Sequence, residues 1–183
     1  CKALAERSQP LVFSVPSGNF GNLCAGMVAR KLGLPIDHFI AATNINDTIP
    51  RFMKTGDYQA KPSSPTISNA MDVGDPSNFV RILELVNQDF EELSKQFSSY
   101  SYTDAETREA MKDLYKSSNY IADPHGAVGY LGLHHFLKNY PEYYGVFLET
   151  AHPVKFLDVV EDTLGFEQPL PSQIRSEEHT SEL

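Results

Sequence analysis

The sequence is poor in cysteine and in positive charge, and it holds no long apolar run. Its two cysteines, Cys1 and Cys24, are too few for a disulfide framework, so the expected compartment is reducing and the expected location cytoplasmic. Cys24 falls inside a predicted helix, where it reads as a small core residue. No apolar stretch approaches the length of a membrane span, and no signal peptide opens the chain. The formal net charge of −9 argues against nucleic acid or an anionic membrane as partner. It leaves room for a small phosphorylated ligand, because a local nest of backbone N–H groups can hold a dianion. There is no internal repeat and no low-complexity run.

Two further absences narrow the chemistry. The six histidines form no spacing that closes a ligand set, and His134 and His135, being adjacent, face different sides of a helix, so no metal site is expected. The stretch Gly18-Asn19-Phe20-Gly21 has no nucleophile at its centre, unlike the elbow of the serine hydrolases. Neither the Walker pattern nor the dinucleotide fingerprint fits it.

What is present is strand–helix alternation. Residues 11–15 form an apolar run that carries β-branched residues and reads as a buried strand, which stops at Pro16. Ser17, Gly18, Asn19 and Gly21 follow, and a helix over 20–32 begins, with Leu23, Met27, Val28 and Leu32 on one face and Ala25, Gly26 and Ala29 allowing a close lie on a sheet. This turn chemistry presents backbone N–H groups at a helix N-terminus, a common phosphate cradle, and equally that of an ordinary tight turn. Gly33 and Pro35 stop the helix, and 36–43 reads as a second strand, completing a βαβ unit with parallel pairing.

A short helix or loop over 44–54 and an irregular stretch rich in Gly, Pro, Ser and Thr come next. Asp75 and Pro76 are placed to open a helix whose apolar face would run through Phe79, Ile82, Leu83, Val86, Phe90, Leu93 and Phe97. After a short strand at 100–102, Thr103 and Glu106 form a capping box for a helix to about 117. Asp123 and Pro124 cap another over 125–139, in which Gly126, Gly129 and Gly132 imply close packing or a backbone–ligand approach, and His125 stands where it could face a site. A strand over 144–150 and a helix over 154–164 end the pattern. The fold class expected is therefore α/β, a mainly parallel sheet flanked by helices.

Thr150 ends the last strand, on the sheet edge where ligands bind in open parallel sheets, and its hydroxyl could reach the ligand of the first loop. Alternatively Thr150 or His152 caps the helix that follows.

Four stretches carry a resemblance. Residues 16–26 (Pro-Ser-Gly-Asn-Phe-Gly-Asn-Leu-Cys-Ala-Gly), 68–79, Asp123-Pro124-His125 with Ala127-Val128-Gly129, and Glu149-Thr150-Ala151-His152-Pro153 with Lys155-Phe156 occur in the order seen in the threonine synthase family of pyridoxal-phosphate enzymes. Gly126 departs from it, standing where many relatives carry Thr. The resemblance implies a partial tryptophan-synthase-β-like (fold type II) domain and pyridoxal 5'-phosphate as cofactor. It implies conversion of O-phosphohomoserine and water to threonine and phosphate, by loss of the γ-phosphate and hydration at the β-carbon. Gly18, Asn19, Phe20, Gly21 and Asn22 would hold the cofactor phosphate, and Thr150 would meet the pyridine nitrogen, making a milder electron sink than an Asp partner. The family's Schiff-base lysine is expected upstream of this chain, which begins at Cys1, so 1–174 would be the C-terminal part of the cofactor-binding region and inactive alone. Residues 175–183 resemble the in-frame translation of a ligation adapter used in short-read sequencing and are expected to be a non-native tail. The alternatives are another fold type II enzyme, such as an amino-acid dehydratase or a cysteine-synthase-like enzyme, and a non-catalytic phospho-ligand binding module.

Overall fold

The computed structural model describes residues 8–169. The helix-like opening at 2–7 and the tail at 175–183 lie outside them. Four strands, β1 (Leu11–Pro16), β2 (His38–Thr43), β3 (Phe97–Ser101) and β4 (Tyr144–Phe147), form one sheet in the order β3-β2-β1-β4. Every pairing is parallel, with Phe13 opposite Phe39 and Val146, and Phe39 opposite Phe97. The α/β reading holds, and the parallel pairing follows from the helical crossovers that join successive strands.

Both faces of the sheet are covered, which is why the central strand β2 is buried at every position. On one face, Leu11, Val15, Phe39, Ala41 and Phe97 pack with helices α1 (Gly21–Lys31), α2 (Thr48–Thr55), α3 (Phe79–Leu85) and α4 (Phe90–Gln96). On the other, Val12 and Ile40 meet Leu133 and Phe136 of α6 (Pro124–Asn139), which lies across all four strands. Helices α5 (Asp104–Ser118) and α7 (Leu157–Leu164) pack beside α6 through Met111, Leu114, Ala127 and Val160. His38, on the α6 side, stacks on Phe136 at 4.7 Å and shares a hydrogen bond with Ser98 Oγ at 2.9 Å. Burial pushes its pKa down to about 4, so it remains a neutral core side chain at neutral pH.

Several boundaries differ from expectation for identifiable reasons. The long helix expected from Asp75 to Phe97 breaks in two, because Asn87 and Gln88 both adopt positive φ (55° and 60°) and Asp89 caps α4 by accepting from Glu92 N. Phe97 consequently enters β3 and not a helix face. Asp75 caps nothing; its carboxylate accepts from the Tyr58 hydroxyl at 2.6 Å. In α1, Leu23 and Met27 are buried, whereas Val28 and Leu32 point to solvent, since the helix contacts the sheet over a narrow stripe. Gly26 allows that contact: a Cβ there would lie 2.8 Å from the Phe39 ring. Cys24 is half-buried and packs on the same core. The capping box at Thr103 and Glu106 is present.

Candidate functional site

The segment after β1 turns sharply into α1, and the residue that makes the turn possible is Phe20, left-handed at φ 63°. No glycine of the loop carries a positive φ. Gly18 is needed for a different reason: a Cβ there would lie 2.7 Å from Met71 Cα, so the loop rests directly on the 69–71 backbone. The Phe20 side chain is buried, edge-on to Phe79 at 5.7 Å. Phe20 therefore offers a ligand its backbone alone.

Ser17 N is engaged with Ala42 O at 2.8 Å, and the helix ladder starts with Cys24 N to Phe20 O at 2.9 Å. Among the described residues, the N–H groups between them, from Gly18 to Leu23, meet no acceptor. This is the expected state of a helix start, whose first amides have no intrahelical partner. Asn19 is partly committed: its Oδ1 accepts from Ser77 N (2.7 Å) and Ser77 Oγ (3.0 Å), and its carbonyl from Asn78 Nδ2 (2.9 Å). Its side-chain NH2 remains as a donor. The 75–78 stretch thus buttresses the loop.

The segment the loop rests on depends on residues that periodicity does not flag. Asn44, buried after β2, donates to Thr66 Oγ1 (2.9 Å) and Asp72 Oδ1 (2.8 Å), and Thr66 N donates to Asp72 Oδ2 (3.0 Å). These bonds tie the irregular 56–74 chain into one conformation and set Ala70 and Met71 against the loop.

The loop, Ala70, Met71, His125 and Thr150 line a single cavity of about 300 Å³. Every residue singled out in the sequence as a cofactor contact, namely Gly18, Asn19, Phe20, Gly21, Asn22 and Thr150, is on its wall. No lysine is among its lining residues. Thr150 reaches it from just beyond β4, which ends at Phe147, earlier than expected. Leu148 N still bonds Ser14 O at 3.0 Å, but β1 then turns away at Pro16 and residues 149–150 lose their partner strand. The helix-capping role falls to His152, whose Nδ1 accepts from Val154 N at 3.2 Å.

At the Thr150 end sits a polar cluster. Asp123, fully buried, caps α6 by accepting from His125 N and also bonds His125 Nδ1, both at 2.7 Å. His125 Nε2 is buried without a partner among the described residues. Glu149 lies over Gly126 beside Asp123; burial of its carboxyl and the Asp123 charge push its pKa up to about 8. Gly129 and Gly132, in contrast, serve packing: Ser14 Oγ donates to Gly129 O at 2.7 Å, and a Cβ at 132 would meet Ala42 Cβ at 2.9 Å. Glu149 was invisible as an individual from sequence because its role depends on a neighbour more than twenty residues away.

Free amide donors, a hydroxyl and an imidazole around one cavity suit a polar ligand with an anionic head. The profile described as "Pyridoxal-phosphate dependent enzyme" matches residues 3–147. The chain belongs to that family. A second profile, "Threonine synthase, C-terminal", matches residues 126–182. Threonine synthase of Haemophilus influenzae is 45% identical over 169 residues, covering 92% of this chain and 39% of that protein. The crystal structure of threonine synthase from Escherichia coli superposes with a TM-score of 0.84 at 45% identity, covering 92% of this chain and 38% of that one. The structure of pyridoxal-phosphate-bound threonine synthase from Brucella melitensis gives 0.86 at 31% identity, over 94% of this chain and 42% of that one. The chain therefore spans about 39% of the length of the curated relatives it matches. More distant neighbours, such as a serine racemase from Dictyostelium discoideum at 18% identity and TM-score 0.53, share the fold.

The residues present fit the family's cofactor. The unengaged N–H groups of Gly18 to Leu23 match a phosphate, and Thr150 lines the same cavity as residues 18–22. Among the described residues no helix is long and apolar enough to cross a membrane.

Proposed function

We propose that this chain is the C-terminal part, residues 1–174, of the cofactor-binding region of a threonine synthase acting in the cytoplasm. The whole protein would convert O-phosphohomoserine and water to threonine and phosphate. Residues 175–183 would be an adapter-derived tail. The observation that carries the reading is the one cavity that joins the Gly18–Asn22 amides to Thr150, taken with the likeness to threonine synthases over most of the chain.

In this reading the backbone N–H groups of Gly18, Asn19, Phe20, Gly21 and Asn22 bind the phosphate of pyridoxal 5'-phosphate. The partial positive charge at the start of α1 favours that dianion. The Asn19 side-chain NH2 and the exposed Asn22 side chain add donors at the rim. Thr150 offers its hydroxyl to the pyridine nitrogen and so orients the ring. The bound cofactor supplies an electron sink for negative charge developing on substrate carbon. A neutral hydroxyl partner leaves that sink milder than a carboxylate would. The nucleophilic lysine would come from a part of the whole protein outside this chain.

The test is made on the full-length protein supplied with pyridoxal 5'-phosphate and O-phosphohomoserine. Equal amounts of phosphate and threonine should appear, while the isolated chain should release no phosphate at an enzymatic rate. Release of ammonia from serine or threonine without phosphate turnover would instead identify a dehydratase of the same fold. A visible absorbance band from bound cofactor, lost on replacing the upstream lysine, separates any enzyme from a non-catalytic binding module.

A further inference from the structure

Asp123 is buried at the start of α6, and one of its oxygens takes both hydrogen bonds. Oδ1 accepts from the His125 amide and from Nδ1, each at 2.7 Å, while the buried Oδ2 has no donor among the described residues. A carboxylate only accepts, so Nδ1 must carry the ring proton, and in the neutral ring Nε2 is the lone-pair nitrogen. That nitrogen is itself buried without a partner, on a residue lining the cofactor cavity.

Glu149 supplies what Asp123 lacks. Both of its carboxyl oxygens occupy the space that a Cβ on residue 126 would fill. The carboxyl lies within hydrogen-bond reach of Asp123. Two carboxylates in contact are poorly tolerated as a doubly charged pair, whereas one proton between them makes a hydrogen bond of the repulsion.

We propose that Glu149 and Asp123 share one proton across the notch left by Gly126, and that this pair sets His125 Nε2 as the hydrogen-bond acceptor of the cavity beside Thr150. The proton belongs to Glu149, because Asp123 already accepts two N–H bonds; the Glu149 hydroxyl donates to Asp123 Oδ2. The groups around Glu149 agree. Burial of the carboxyl and the Asp123 charge push it up, and a hydrogen bond with Tyr120 pulls weakly the other way. His152 and Lys155 line the adjoining, larger cavity together with Glu149. Glu149 and Asp123 are thus positioning residues, and His125 is the group that meets the ligand. The loop that lines the same cavity offers amide donors. An acceptor at His125 selects a ligand that brings a donor of its own there, a hydroxyl, an ammonium or a held water.

The proposal concerns protein groups alone and stands apart from the threonine synthase reading. In the full-length protein, NMR of 13C-labelled glutamate carboxyls, with Glu149 assigned by its loss in E149Q, should show that carboxyl titrating near pH 8. Long-range 1H–15N spectra should show His125 protonated on Nδ1. In G126A the atoms nearest the added Cβ belong to the flexible tip of Glu149, which is expelled, so the titration should fall towards the ordinary value of 4.5. E149Q keeps an N–H to donate to Asp123 and should keep the His125 tautomer. A Glu149 that titrates below pH 6 in the unaltered protein overturns the proposal, as does a His125 protonated on Nε2. Both decisive readings are made on the unaltered protein, with E149Q needed only to assign the Glu149 signal, so a G126A protein that fails to fold does not blur them.

Discussion

One end of the site, in chain order, is the run from Gly18 to Leu23, which presents consecutive backbone amides. The other is His125 and Thr150 with their neighbours Asp123 and Glu149, side chains from the start of α6 and from the segment after β4. The first end is local. Its donors exist wherever the chain turns from β1 into α1, and most side-chain changes leave them in place. The second end is assembled: Asp123 and His125 bond each other at the start of α6, and Glu149 and Thr150 are brought to them from the segment after β4. The difference predicts that the loop tolerates substitution except where backbone meets backbone, while the assembled end tolerates little that removes a donor or an acceptor.

The sharpest test of the assembled end is Asp123→Ala. It removes the α6 cap and the acceptor for buried His125 Nδ1 together, and should cost about 2–3 kcal/mol, read from the urea midpoint of the full-length protein. At the loop, Gly18→Ala forces a Cβ to within 2.7 Å of Met71 Cα. Backbone cannot step aside as a side-chain tip can, so a loss of about 1–3 kcal/mol is expected. A G18A protein as stable as wild type would break the claim that the loop rests on the 69–71 segment.

Thr150→Val keeps the shape and removes the hydroxyl. Equilibrium dialysis should show pyridoxal 5'-phosphate bound about 5–10-fold more weakly, with the urea midpoint unchanged. Unchanged affinity would detach Thr150 from the ring.

The pH dependence concerns Glu149, whose folded-state pKa rises from 4.5 to about 8. Between those values the folded protein holds a proton that the unfolded chain has released. The contribution is therefore full below about pH 4.5 and is lost as the pH climbs through about 8. Glu149 is an exposed residue, and solvent screening limits the swing to about 1 kcal/mol. Denaturation midpoints across this range should flatten in Glu149→Gln. The smallest effect belongs to Gly21→Ala, where the nearest atom to a Cβ is Asn78 Nδ2 at 3.7 Å. Its stability should stay within about 0.5 kcal/mol of wild type. The pair G18A and G21A sets two glycines of one loop against each other.

Much of the frame was readable from local pattern. The apolar run before Pro16, the capping box at Thr103 and the Asp123–Pro124 helix start each announce an element through chemistry confined to a few neighbours. The break at Asn87 and Gln88 was hidden, because Phe90, Leu93 and Phe97 continue the helical spacing across it. Periodicity reports which residues are apolar, not which surface each one meets. For the same reason Val28 and Leu32 were assigned to a face that the sheet does not cover.

The site divides along the same line as the cavity. The loop was legible because a strand, a turn and a helix start are contiguous in sequence, and the donors belong to the backbone between them. Sequence by itself determined that a strand turns into a helix start at this loop and that the sheet is parallel. It set the last strand three residues too long, ending it at Thr150 where β4 ends at Phe147. Only the tertiary structure decided that Thr150 and the loop share one cavity, that Gly18 is demanded by Met71, and that Gly126 makes room for the carboxyl of Glu149. These are relations between atoms distant along the chain. They are set by how strands pair and α6 lies across them, which no local pattern records.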